Sequence, residues 1–161
     1  MLSTFEHTGI RSALLAAIIL LGVSAASTAE AADEEAEPPN AVGVFIGNRQ
    51  NGSLNGASVS FEYERKMTSL IGVGAIAEYA GGDFESVGIF APIYFHPHAG
   101  WVFKIAPGIG IEDSKTSFVV RAGIGYEFKV APKWALAPQV NADFVHGETE
   151  FFYGLGFTRR F

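Results

Sequence analysis

The feature that most constrains this chain is a strict two-residue alternation that returns segment after segment. In the last segment Phe151, Tyr153, Leu155 and Phe157 alternate with Gly154, Gly156, Thr158 and Arg160, and Phe161 closes the sequence. A side-chain period of two places one set on each face of an extended strand. Seven earlier segments carry the same pattern, which predicts eight strands. Their apolar faces begin with Val42, Val44, Ile46 and Ala57, Val59, Phe61, Tyr63. Two more follow, Ile71, Val73, Ala75, Ala77, Tyr79 and Val87, Ile89, Ala91, Ile93, Phe95. The rest are Trp101, Phe103, Ile105, Pro107, Ile109, Ile111; Phe118, Val120, Ala122, Ile124, Tyr126, Phe128; and Trp134, Leu136, Pro138, Val140, Ala142, Phe144.

The opposite face mixes glycines with charge. It holds Gly72, Gly74, Gly108, Gly110, Gly123, Gly125, Gly154 and Gly156 beside Glu62, Glu64, Glu78, Lys104, Arg121, Glu127, Gln139, Asn141, Asp143 and Arg160. Alternation alone suits two closed barrels, a soluble one with its apolar face inward or a membrane one with that face outward. The glycine-rich polar face, the aromatics at strand ends and the terminal Phe161 favour the second.

Composition narrows the function. The chain has no cysteine, which excludes disulfides and thiolate chemistry. Residues 1–31 are expected to be a cleaved signal peptide, with Arg11, an apolar run over Ala13 to Val23 and small residues up to Ala31. Residues 32–39 form an acidic lead carrying Asp33, Glu34, Glu35 and Glu37, and the barrel domain is expected over residues 40–161. Setting aside Arg11, Glu6, Glu30 and those four acids leaves ten basic and eleven acidic residues, far from the basic footprint of a nucleic-acid binder.

The terminal strand with its final aromatic resembles the C-terminal assembly signal of bacterial outer-membrane barrels, with Tyr153, Leu155, Phe157 and Phe161 as the signal residues. The chain as a whole resembles the small OmpA-like and OmpX-like barrels. The fold this implies is all-β, an eight-stranded antiparallel up-and-down transmembrane barrel in the bacterial outer membrane. The resemblance also implies a periplasmic N-terminus, so that Arg65 to Ser69, His96 to Gly100 and Lys129 to Lys133 are periplasmic turns. Asn48 to Asn55, Ala80 to Phe84, Glu112 to Thr116 and His146 to Glu150 are then external loops. Tyr63, Trp101 and Trp134, with Phe95 and Phe128, then form one membrane girdle, and Tyr79 with Phe118, Phe144 and Phe151 the other. Expected partners are outer-membrane lipid and lipopolysaccharide, and the barrel-assembly machinery during biogenesis, with the protein a monomer.

Eight strands leave an interior that side chains can fill. Glu62, Glu64, Glu78, Glu127 and Asp143 against Lys104, Arg121 and Arg160 are expected to plug it with ion pairs. The reading is a non-enzymatic structural or surface-interaction barrel, with a narrow cation-preferring pore as the alternative and a lipid A-modifying enzyme behind it. For catalysis the candidates are His146, Glu148 and Thr149 with Ser86, Ser114 and Ser117, which show no nucleophile elbow, so no catalytic residue is assigned. His96 and His98 could share a metal but lack a third ligand, so no metal or cofactor is assigned. Pro92, Pro107 and Pro138 fall mid-strand, and bulges or kinks are expected there.

Overall fold

The computed structural model describes residues 38–98 and 100–161. The expected signal peptide and most of the expected acidic lead lie outside the described residues. Ten strands form one antiparallel sheet: β1 Asn40–Asn51, β2 Leu54–Lys66, β3 Ile71–Ala80, β4 Ser86–Phe90 and β5 Ile93–Phe95 in the first half. In the second half lie β6 Trp101–Glu112, β7 Lys115–Tyr126, β8 Phe128–Ala131, β9 Trp134–Val145 and β10 Glu148–Arg160. β4 and β5 are two halves of one barrel strand, both lying between β3 and β6, and β7 and β8 both pair with β9. The barrel therefore has eight strands, and β10 closes it by pairing with both β9 and β1. At the seam Asn40 N donates to Phe161 O at 3.2 Å and Phe161 N to Asn40 O at 2.8 Å. We call the end carrying Asn40 and Phe161 the proximal rim and the end carrying Asn51 and Glu148 the distal rim.

The faces fall as the alternation requires. Ile46, Ile89, Ile105, Phe118, Val140, Phe151 and Leu155 are exposed on the outside, whereas Glu64, Glu78, Lys104, Arg121, Asp143 and Arg160 are buried within. A soluble barrel would invert this, so the structure decides between the two barrels left open by the pattern. Soluble monomers rarely show contiguous apolar surface beyond a few hundred Å². Here it wraps the molecule, and a bilayer is the solvent that accommodates it.

The prolines do not bulge. Pro107 pairs with Val120 and Pro138 with Leu155 inside unbroken registers. Strand assignment stops at Phe90 and resumes at Ile93 around Pro92, yet the register with β3 and with β6 is the same on both sides of the gap. Pairing is interrupted around Pro92, between β4 and β5, and opposite Pro138, between β7 and β8, with no change of register across either gap. The carbonyls stay engaged: Gly74 N donates to Pro92 O at 3.0 Å and Ala91 N to Pro107 O at 2.9 Å. The register shift falls instead between Lys129 and Ala131, where β8 meets β9 near the proximal rim.

The distal connections are also tighter than the external loops expected from the sequence. Asp113 and Ser114 join β6 to β7 with φ of 46° and 65°, and His146 and Gly147 join β9 to β10 with φ of 50° and 87°. Two consecutive positive φ values in a two-residue loop are the signature of a type I′ hairpin, whose twist matches that of the strands. β1 likewise runs on to Asn51, so Arg49 belongs to the barrel wall.

Candidate functional site

The site is the lumen itself. Arg121 on β7 is 1% exposed. Its ladder partner on β9 is Asp143, and Nε and Nη2 donate to the two oxygens of that carboxylate at 2.6 and 2.8 Å. Nη1 and Nη2 reach across to Glu78 on β3 at 2.7 and 2.8 Å. One planar guanidinium thus holds two carboxylates in bidentate fashion, the geometry for which arginine is suited and lysine is not. The bonds run from wall to wall.

Aromatic rings cover the faces of this guanidinium. Phe90 lies 4.2 Å from it and Phe152 4.4 Å, ring centroid to Cζ. Phe152 also lies 5.3 Å from the guanidinium of Arg49, which packs 4.3 Å from Phe84. Phe84, Arg49, Phe152, Arg121 and Phe90 therefore alternate ring and cation through the distal half of the lumen. Arg49 donates to Glu150 and to Ser86 Oγ, and Glu112 lies 3.7 Å away. Room for the rings comes from missing side chains, since a Cβ on Gly88 or Gly108 would intrude on Phe90.

The proximal half carries separate pairs. Lys104 Nζ donates to Glu62 at 2.8 Å and to Gln139 at 3.0 Å, and Tyr94 donates to Glu62 at 3.4 Å. Arg160 meets Glu127 at 2.7 Å. His96 Nε2 lies 2.6 Å from Glu64 Oε1, with both side chains about nine-tenths buried, so this histidine turns into the lumen mouth. His98 is exposed. Among the described residues no group of three or more His, Asp or Glu could hold a metal ion.

Two small polar cavities flank the middle of the barrel. The proximal one, about 40 Å³, is bounded by Glu62, Glu64, Tyr94, Lys104, Glu127 and Gln139; the distal one, about 60 Å³, by Arg49, Glu78, Ser86, Glu112, Asp143 and Glu150. Each has room for a few waters. They share no lining residue. Buried Phe45, Ile76, Ala106, Arg121 and Phe152 belong to neither wall.

The lumen residues named from the sequence, Glu62, Glu64, Glu78, Lys104, Arg121, Glu127, Asp143 and Arg160, thus sit in two groups. The sequence reading missed Arg49 and Glu150, drawn into loops, and the lumen rings Phe45, Phe90 and Phe152. Continuing the parity of Val42, Val44 and Ile46 would have turned Phe45 and Arg49 inward. Of the catalytic candidates, Ser86 accepts from Arg49 and His146 is exposed in its turn.

The girdle residues lie near the rims. Trp101 packs edge-on to Tyr126 at 5.2 Å, Trp134 stacks on Phe157 at 4.8 Å, and Tyr63 donates to Asn40 Oδ1 at 2.9 Å. Tyr79 is half-buried toward the distal end of β3. Tyr153, Leu155 and Phe157 face outward.

No protein-family model and no curated protein matches the chain. Among solved structures it is similar to the N-terminal β-barrel domain of OprF from Pseudomonas aeruginosa. The TM-score is 0.57 at 12% identity, covering 78% of this chain and 100% of that one. The outer-membrane protein Ail of Yersinia pestis, in a phospholipid nanodisc, gives 0.53 at 16% identity, covering 76% and 99%. Neisserial surface protein A gives 0.50 at 12%, covering 76% and 96%. The chain has the fold of the small eight-stranded outer-membrane β-barrels. Ail has also been solved with the heparin analogue sucrose octasulfate.

Proposed function

We propose that this barrel is integral to a bacterial outer membrane and serves a structural or surface-interaction role, with its lumen closed by ion pairs and without catalysis of its own. The observation that carries the reading is the Arg121 crosslink to Glu78 and Asp143 with Phe90 and Phe152 against it. A solute or hydrated ion would have to part a doubly bidentate, dehydrated arginine to pass. Removing one member of such a buried set costs about 3–5 kcal/mol. The barrel-assembly machinery is the partner during biogenesis, with lipid and lipopolysaccharide around the finished monomer. Sulfated polyanions of the kind solved with Ail do not suit the distal rim here, where Asp83, Glu85, Asp113 and Glu148 are exposed against Lys115.

The alternative is a narrow cation-preferring pore, favoured by the polar cavities on either side of Arg121 and the carboxylate excess around them. Planar-bilayer recording of refolded protein separates the two, with a heat-modifiability gel to establish folding. Electrical silence from folded barrel is expected. Reproducible cation-selective steps would overturn the plug.

A further inference from the structure

Two charges stand apart from all the others. Among the described residues, the charged side chains of the barrel wall occupy lumen-facing positions, except Arg65 on β2 and Arg159 on β10, which fall on the outward, apolar parity. A charge on the lipid face is costly at mid-bilayer and nearly free at the interface. Both arginines lie at the proximal rim, where that cost is least.

They also share one patch. Tyr63 pairs with Val42, Val42 with Arg159 and Arg159 with Trp134, so these four form a single outward row across β2, β1, β10 and β9. Arg159 lies over the Trp134 ring at 5.5 Å, and Arg65 follows Tyr63 by two residues on the same face. One step deeper the row is Phe61, Val44, Phe157 and Leu136, all apolar. The neighbouring turn is fixed to the patch, since Arg160 N donates to Lys133 O at 2.8 Å and so holds exposed Lys133 beside Trp134. The neighbouring side-chain carboxylates Glu64 and Glu127 turn inward to His96 and Arg160.

One outward guanidinium between a tyrosine and a tryptophan, and a second rimward of the tyrosine, over an apolar floor, match a lipid in cross-section: phosphate at the arginines, ester region at the aromatic rings, acyl chains along the floor. A soluble polyanion offers nothing to that floor. We propose that Arg65 and Arg159, assisted by Lys133, bind the phosphate of an anionic phospholipid in the leaflet that meets the proximal rim. The proposal rests on the reading of this chain as a bilayer-spanning barrel, and adds to it a headgroup preference confined to one edge.

The test uses Trp134 as reporter, in the full mature barrel carrying Trp101→Phe, refolded into phosphatidylcholine vesicles. Brominated phosphatidylglycerol or brominated phosphatidylcholine is added at equal mole fraction, and quenching gives their relative occupancy beside Trp134. Phosphatidylglycerol should be favoured by about threefold or more, since a basic residue near an anionic surface contributes roughly a fivefold effect. That preference should fall with added salt, fall toward unity in Arg65→Gln/Arg159→Gln, and be partly kept in Arg65→Lys/Arg159→Lys. Equal quenching by the two lipids in the parent overturns the proposal, as does a preference that neither salt nor the glutamine variant changes. Failure to insert, seen as no heat-modifiable band, would instead overturn the membrane reading beneath it.

Discussion

Arg121 and Asp143 face each other as ladder partners on neighbouring strands, yet the guanidinium that joins them is equally bonded to Glu78 on the far wall. A local pair and a transverse strut are thus one group. Arg121→Met should lower unfolding stability by about 3–5 kcal/mol, because two carboxylates are left buried without a counter-charge. The triple change Glu78→Gln, Arg121→Met, Asp143→Asn should cost clearly less than the single one. Urea unfolding in lipid vesicles, compared at constant slope, measures both.

Phe152 is the ring shared by Arg49 and Arg121. Phe152→Ala should cost roughly 3–5 kcal/mol, as other buried aromatic truncations do, and should join the two lumen cavities. Brief conductance steps in a planar bilayer are expected from this variant and not from the parent.

Ser114 holds a φ of 65° in its two-residue turn. Glycine takes that conformation without the Cβ penalty of roughly 1–2 kcal/mol. Ser114→Gly should therefore raise the thermal midpoint of the gel shift, and Gly147→Ala should lower it.

Glu112 lies past Ile111, at the distal tip of β6. Burial pushes its carboxyl above the ordinary range, Arg49 draws it down, and Glu150 and Asp113 push it up further. A carboxyl raised by folding binds its proton more tightly in the folded state, so its contribution is fully present below the unfolded pKa and is lost as pH rises through the raised value. Glu112→Gln should flatten the stability profile in that window, seen in unfolding midpoints followed as pH rises from about 4, the ordinary carboxylate value.

The outward face was legible because its period is two and its members are unmistakable; Ile89, Ile105 and Leu155 could face nothing but lipid or a core. The lumen was legible only in its charges. Phe45, Phe90 and Phe152 escaped because an aromatic in an alternating strand reads as a lipid-facing residue, and what admits the first two rings is glycine, Gly47 beside Phe45 and Gly88 and Gly108 beside Phe90. Arg49 escaped because Asn48 to Asn55 reads as a polar loop, whereas two-residue turns let strands carry polar sequence to their tips. The prolines misled for a different reason. A missing donor removes one bond from one ladder, and the remaining bonds around Pro107 and Pro138 keep the register that pattern alone could not guarantee.

Asn40 and Phe161 exchange both of their backbone bonds at the seam. The barrel is therefore a ring whose opening point is a matter of covalent convenience. A circular permutant, with Phe161 spliced to Asn40 through a short linker and new termini cut at Gly52 and Ser53, would keep every strand neighbour while moving the covalent opening to between β1 and β2. Comparing its insertion with that of the parent would separate what the closed ring of strands requires from what their order along the chain requires.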